Sequence, residues 1–374
     1  MKTFGKIAAL FLAAGMSATI AGCSGCAGCN SSNKNETLTN SNWYTGTSYK
    51  GIQPSFIEGN VPFSPEKITY SVSYDNTNAG NATYAPEYKD GGSFTTEFYA
   101  KKFDWASDKI PAKYRSDKPD TEIVYFYRTE LKVSVRYTMK TGDGAKSEWF
   151  DDSVVTECCF RAAEKNLQPV YSSRTTKSAS PANLQPDTLE NAYRVVEESY
   201  ENFYNRDCTE VTSIKDGKPD EAKVYGGLNK LKNTLFDNSS LYIAMRSMRL
   251  SADFSQRINL FSAADKGVYD YVVSGADRPF SDDERAAITE VMKSAELYSP
   301  AAENDEGIKA VAANIVYAGG DLTGTVQTAW FAAVENTDYN VPRATMLKLS
   351  IPLSFSLGTL NLTIENVEST LWNK

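Results

Sequence analysis

The 374-residue chain contains no histidine. With it go His-based general bases, Ser-His and Cys-His nucleophile pairs, and most catalytic zinc sites. A basic excess is also missing. The 39 Lys and Arg stand against 47 Asp and Glu, a net charge of −8. That balance argues against nucleic acid as a partner and against a basic patch for anionic lipid. There is no phosphate-binding glycine loop and no Gly-x-Ser-x-Gly elbow. After the first 22 residues no apolar run reaches the roughly 20 residues that a membrane-spanning helix needs.

What is present begins with MKTFGKIAALFLAAGMSATIAGC. Lys2 and Lys6 form a short positive segment. Ile7 to Ile20 is apolar, and at roughly 14 residues it has the length of a signal-peptide core, not of a span. The run Ile20-Ala21-Gly22-Cys23 resembles the bacterial lipobox: an aliphatic residue, two small ones and a Cys. Small residues let a peptidase grip an extended backbone, and the thiol takes a diacylglycerol. The expectation is a signal peptide at 1–22 and a lipid-bearing Cys23; an ordinary signal cut nearby, or an uncleaved anchor, is the alternative. Two acyl chains hold durably where one does not. The protein is therefore expected to be extracytoplasmic and lipid-anchored, and Ser24 fits either the cell membrane or an outer membrane. Residues 23–43 are rich in Gly, Ser and Asn and read as a flexible tether. The spacing Cys23-x-x-Cys26-x-x-Cys29 has the look of a metal motif. A cluster needs a fourth ligand and a scaffold, so Cys26 and Cys29 read as spare thiols.

The rest of the chain is rich in Tyr (22) and Phe (17), in short segments that alternate apolar and polar residues. That is the period of half-buried strands. Such segments are Ile68–Tyr74, Phe94–Phe103, Glu122–Met139, Trp149–Phe160 and Gln168–Thr175. Thr141-Gly142-Asp143-Gly144 and Asp216-Gly217 are turn signals. Lys177 to Pro186 reads as a loop, so the organisation is drawn as 44–180 and 181–374, two parts of a β domain or one continuous domain. Leu189, Tyr193, Val196, Tyr200 and Phe203 repeat as a helix stripe, with Asp187-x-x-Glu190 as a capping box. Tyr193, Val195, Glu197 and Ser199 alternate as a strand would. Ser239–Met248 reads as a short helix. Ser281-x-x-Glu284 caps a second one, with Ile288, Val291, Met292 and Ala295 on its apolar face. Between them Phe254–Leu260 and Val268–Val273 flank a turn at Asp265-Lys266-Gly267. Ile308–Tyr317, Thr323–Val334, Ala344–Phe355 and Thr359–Val367 close the chain as strands, with Pro352 placed at a strand end or edge.

From Asp237 onward the pattern resembles a family of uncharacterised exported bacterial proteins known only as a domain of unknown function. The residues are Asp237-x-x-x-Leu241-Tyr242-x-x-x-Arg246, then Leu250, Trp330, Pro342, and Leu353–Leu362 with Gly358. Ile68–Val72 is similar to that family's opening strand. The helix at Ser281–Tyr298 departs from the family, which has a strand pair there. The resemblance pulls 193–204 toward strand. It implies a mainly β fold: a large curved antiparallel sheet or partly closed half-barrel with one or two short helices. That shape is similar to the half-barrels of lipoprotein carriers and other envelope lipid-handling proteins, whose concave face is filled by side chains, a helix or a ligand.

The candidate site residues each have a structural and a functional reading. Asp237 and Arg246 bracket the short helix, either as caps, with Arg246 on nearby carbonyls, or as a ligand clamp. Tyr125, Tyr127, Tyr137, Trp149 and Trp330 are core aromatics or the lining of a cavity. Asp151-Asp152, Asp282-Asp283 and Glu303-Asn304-Asp305-Glu306 are solvated acidic segments, calcium ligands or paired carboxylates, although none has EF-hand spacing. Cys158, Cys159 and Cys208 read as small buried hydrophobes, with one 158/159 thiol able to meet Cys208 as the alternative. No catalytic residue, metal or cofactor is expected. The expected function is non-enzymatic binding of an apolar ligand such as a lipid or acyl chain. The alternatives are a protein-interaction module of the envelope and a carboxylate-based wall-polymer hydrolase.

Overall fold

The computed structural model describes residues 66–77, 80, 82–163, 166–231, 235–246, 248, 250–295, 297–298, 306–317, 326–333 and 345–369. The signal peptide, Cys23, the tether with Cys26 and Cys29, Glu303 to Asp305 and Pro342 lie outside the described residues.

Among the described residues, segments of largely period-2 alternation form sixteen strands in one hydrogen-bonded sheet. They are β1 (Glu66–Asp75), β2 (Tyr84–Tyr88), β3 (Ser93–Asp104), β4 (Thr121–Met139), β5 (Phe150–Ala163), β6 (Asn166–Pro181), β7 (Tyr193–Tyr204) and β8 (Glu210–Lys215). Then come β9 (Lys223–Gly226), β10 (Leu235–Asp237), β11 (Ser255–Ser262), β12 (Gly267–Ala276), β13 (Ala310–Tyr317), β14 (Gln327–Ala332), β15 (Met346–Pro352) and β16 (Thr359–Ser369). Two helices, α1 (Leu241–Met245) and α2 (Asp282–Ser294), interrupt the run. The order across the sheet is β10 to β16, then β1, then β3 to β9. First and last strands therefore meet in the middle, with β1 paired to β16 over its full length. β2 shares one side of the long β4 with β3. Neighbours are antiparallel except β10 beside β11.

The result is mainly β, a large curved sheet that does not close by backbone pairing. Its two ends nevertheless face each other. Asp237 at the end of β10 takes hydrogen bonds from Ser172 on β6 and Tyr204 on β7. Phe261 on β11 packs edge-on against Tyr204 and Tyr225. The concave face is filled by side chains and by the chain itself. The turn Asn238–Ser240 packs on β4, β5, β6 and β11, and Leu241, Ile243, Ala244 and Met245 of α1 are buried in the main core. Phe98, Tyr125 and Phe160 stack with centroids 5.6–6.3 Å apart. α2 lies against β16 through Ile288 and Met292, its start fixed by the expected Ser281–Glu284 capping box. On the convex face a smaller core of Trp105, Ile110, Val124, Phe126, Cys159 and Val170 covers the middle strands.

One open alternative closes and three expectations need correction. Residues 193–204 are strand, as the resemblance implied, and not the helix of the periodic stripe. β7 is paired on both sides and has apolar residues on both faces, Tyr200 and Tyr204 inward and Phe203 outward; that two-sided burial imitates a helical stripe. The Asp187-Glu190 capping box does not form, since the turn Leu189–Asn191 starts at Thr188 without a side-chain cap. The loop placed at 177–186 starts later, because Lys177–Pro181 extend β6 and pair with β7. The strands expected within 122–139 are one strand, and Ile123 near its start projects into solvent.

Gly358 sits between β15 and β16 with φ +112°, where a Cβ would lie 2.5 Å from the Asp75 carbonyl and 2.7 Å from the Tyr74 ring. Gly358→Ala is expected to cost about 1–3 kcal/mol of stability, read as a lower urea midpoint. An unchanged midpoint would show that the β1–β16 junction is looser than this packing.

Candidate functional site

The concave wall changes character across the sheet. On β1, β3 and β4 the inward residues are mostly large and apolar: Ile68, Tyr70, Phe94, Phe98, Tyr125 and Leu131. On β6 every second residue from 172 to 180 is polar and buried: Ser172, Arg174, Thr176, Ser178 and Ser180. The two sides share a row. Thr96, Thr129, Thr156, Arg174 and Tyr200 are successive register partners across β3 to β7, and Thr129 Oγ1 lies 2.7 Å from Thr156 Oγ1.

Besides Glu198, which is paired with Lys215, the wall holds Asp237 and Asp152, each bound by hydrogen bonds and with no ion pair among the described residues. The Asp237 side chain accepts from Ser172 Oγ (2.6 Å), Tyr204 OH (2.5 Å) and the Ser239 amide (2.8 Å). Asn202 Nδ2 donates to Ser172 Oγ at 2.9 Å, extending the network into β7. Burial pushes the Asp237 carboxyl upward, against the pull of its donors. Asp152 on β5 accepts from Ser178 Oγ (2.9 Å) and the Ala179 amide (2.8 Å). Burial raises its carboxyl from 3.8 to about 6. Asp152 thus departs from the solvated reading of the acidic pairs, while Asp282 and Asp283 are exposed in the first turn of α2.

Arg174 is the cation of the wall. Its residue is 6% exposed, and Nε donates to Thr176 Oγ1 at 3.2 Å. Nη1 and Nη2 are buried without a hydrogen-bond partner. Desolvation lowers its pKa, opposed at longer range by Asp265, Glu198 and Tyr200. Asn202 Oδ1, on the neighbouring strand, is a second buried atom without a partner.

The other candidates fall into place around this wall. Asp237 caps the turn Asn238–Ser240 that precedes α1. Arg246 ends α1, but its guanidinium goes to Glu66 of β1 (2.6 and 3.2 Å) where carbonyls were expected. Tyr125, Tyr127, Tyr137 and Trp330 are core residues; Trp149 is exposed beneath Arg136, 4.5 Å from its ring. Cys158, Cys159 and Cys208 are free thiols. Burial raises Cys159 and Cys208 to about 11 and pushes Cys158 well above the usual thiol range, so all three are protonated and weakly nucleophilic at neutral pH. Among the described residues no group of three His, Cys, Asp or Glu is arranged to hold a metal, and no helix is long and apolar enough to cross a membrane.

Sequence reading missed Arg174 and its hydroxyl neighbours. The signal was there as Ser-x-Arg-x-Thr-x-Ser-x-Ser from 172 to 180. Because the intervening residues are mostly polar too, the segment lacks the apolar beat that marks a strand.

No protein-family model matches the chain, and no curated protein matches it at a significant level. Among solved structures, a beta-barrel-like protein of a domain of unknown function (DUF1849) from Brucella abortus is similar to it. The TM-score is 0.42 at 10% identity, over 83% of this chain and 99% of that one.

Proposed function

We propose that the chain is a non-enzymatic binding protein of the bacterial envelope, tethered to a membrane through a lipid on Cys23, whose curved sheet takes an amphiphilic envelope component on its concave wall. One observation supports this above the rest: the buried polar stripe of β6. A sheet that only had to be filled would continue the aromatic packing of β1, β3 and β4. The hydroxyls of the stripe are hydrogen-bonded within the protein, but the incompletely bonded guanidinium among them costs stability, and such a cost is kept where a polar group meets a ligand. The apolar side of the interior is already occupied by α1 and the Phe98–Tyr125–Phe160 stack. The ligand is therefore recognised mainly through its polar part, not through an acyl chain alone.

The hydrolase alternative loses support from the carboxylates. Asp152 is enclosed by donors of the neighbouring strand β6, and Asp237 by donors of β6, β7 and its own turn, arrangements that fix both as acceptors. The protein-interaction alternative is favoured by the same packed aromatic interior. Native mass spectrometry of the protein extracted from a bacterial envelope separates the two. A mass lost on denaturation, beyond the covalent increment expected on Cys23, is the expected result. A chain carrying only the covalent increment, with no uptake when envelope lipid extract is offered, would sink the binding reading in favour of the interaction module.

A further inference from the structure

We infer that Arg174 is an anion-recognition residue: its two terminal guanidinium nitrogens receive a carboxylate or phosphate group of the ligand, on the patch between β6 and β7. This deepens the binding function proposed above and rests on it.

The argument begins with what else could satisfy this side chain. An Arg cannot escape burial by losing its proton, since its pKa stays far above neutrality in proteins. The usual remedy is a carboxylate in the fork of the guanidinium, as Glu66 provides for Arg246 in this same molecule. Arg174 has no such partner. Its Nε is met by Thr176, which fixes the plane of the group and leaves Nη1 and Nη2, the two prongs of the fork, buried without an acceptor. Glu198, the nearest strand's acid, is engaged with Tyr200 OH and Lys215 Nζ. Asp265 acts on Arg174 through its field.

The surroundings suit an anion with polar substituents. The flanking register partners are Thr156 and Tyr200, one a hydroxyl and the other an aromatic ring with a hydroxyl. Asn202, one inward position further along β7, carries the unpartnered amide oxygen Oδ1, an acceptor for a hydroxyl or amine close to the anionic group. Two unmet groups of opposite hydrogen-bonding sense on adjacent strands describe a donor-acceptor pair. Oxygen acids in two-pronged contact with a guanidinium are the strongest complement to the donor half. The patch also lies beside the gap between the sheet's ends, where Asp237 reaches Ser172 and Tyr204 by side chains alone. A ligand entering there has no backbone ladder to break.

The test is thermal unfolding of the full chain with inorganic phosphate, against chloride at equal ionic strength, for the wild type, Arg174→Met and Arg174→Lys. A ligand that binds only the folded state raises its stability as RT ln(1 + [L]/Kd). The wild-type Tm is expected to rise by about 5 °C at a hundred times Kd. Arg174→Met removes a buried charge and keeps the length of the side chain, so it is expected to fold with an equal or higher Tm and to lose the phosphate response. Arg174→Lys keeps the charge without the fork and is expected to weaken binding at least about tenfold. Should Arg174→Met fail to fold, the lysine variant alone decides: a response equal to wild type overturns the assignment. The assignment also falls if phosphate and, in a parallel series against chloride, acetate both leave the wild-type Tm unchanged, or if the methionine variant responds fully. Repeating the series with micelles of anionic and of zwitterionic phospholipid identifies the source. Response to the anionic micelles beyond free phosphate assigns the group to a lipid headgroup, and response to phosphate alone assigns it to a soluble anion. If the anion response is absent while native mass spectrometry still finds a bound component, only Arg174 as its receptor is refuted, and the binding function stands.

Discussion

Arg246→Ala is expected to lower the free energy of unfolding by about 3–5 kcal/mol, a large share of the about 5–15 kcal/mol that holds an ordinary domain folded. The pair it breaks is the most completely buried ion pair among the described residues, with side chains 7% and 5% exposed. Two nitrogens of Arg246 meet the two oxygens of Glu66, and Tyr70, whose OH donates to the Met346 carbonyl, packs beside them. Alanine leaves the Glu66 carboxylate uncompensated in a medium that cannot solvate it, which is where the loss arises. Removing both charges at once avoids that penalty. Glu66→Leu combined with Arg246→Met is therefore expected to recover most of the stability, since apolar residues often replace a buried pair without loss. Urea unfolding of the two variants beside wild type gives the comparison. An Arg246→Ala protein within about 1 kcal/mol of wild type would put the pair in the class of solvent-screened surface bridges. The position of the pair ties the effect to function. It pins the C-terminal end of α1 to β1, and α1 is continuous with the turn that carries Asp237 into the polar wall. Loosening it is expected to weaken ligand retention before it unfolds the sheet.

How much of this was legible in the sequence depended on whether one face of a segment was apolar. β1, β3, β4 and β16 announce themselves because Ile, Val, Phe and Tyr alternate with polar residues against a one-sided core. The β character follows from those segments; the curvature was implied by the family resemblance, and the two helices were read from Ser239–Met248 and from the Ser281–Glu284 capping box. β7 was obscured by burial on both faces, and the end of β6 by polarity on both. The partner of Arg246 was out of reach for another reason: Glu66 stands 180 positions away, and only the pairing of first and last strands brings the two halves together. Asp152 looked like half of a solvated acidic pair. Its fate is decided by strand phase, with Asp151 turned to solvent beside Ser134 and Asp152 turned into the wall beside Ser178.

That phase has a measurable consequence in pH. The Asp152 carboxyl is raised from 3.8 to about 6 because burial disfavours its charged form. A carboxyl raised in the folded state binds its proton more tightly there than in the unfolded chain. Its contribution to stability is therefore full below pH 3.8 and is lost as pH climbs through 6, a fall of about 3 kcal/mol at 1.36 kcal/mol per pH unit. Other acids run the opposite way; Glu87, bonded by Thr138 and paired with Arg136 and Lys146, is held down at about 2. The Asp152 component is isolated by comparison with Asp152→Asn. Asparagine can still accept from the Ala179 amide and can donate to Ser178 Oγ, whose hydroxyl then turns to Ser180. At pH 4 the variant is expected to match or slightly trail wild type, and by pH 7 to exceed it by about 2–3 kcal/mol. Urea unfolding of both proteins at pH 4, 5, 6 and 7 tests this. Stability curves that stay parallel across that range would mean Asp152 keeps an ordinary carboxylate pKa and lies in contact with water. Curves that diverge as expected would show the β5–β6 wall to be dry, the condition under which a buried guanidinium two strand positions away at Arg174 discriminates strongly for an anion.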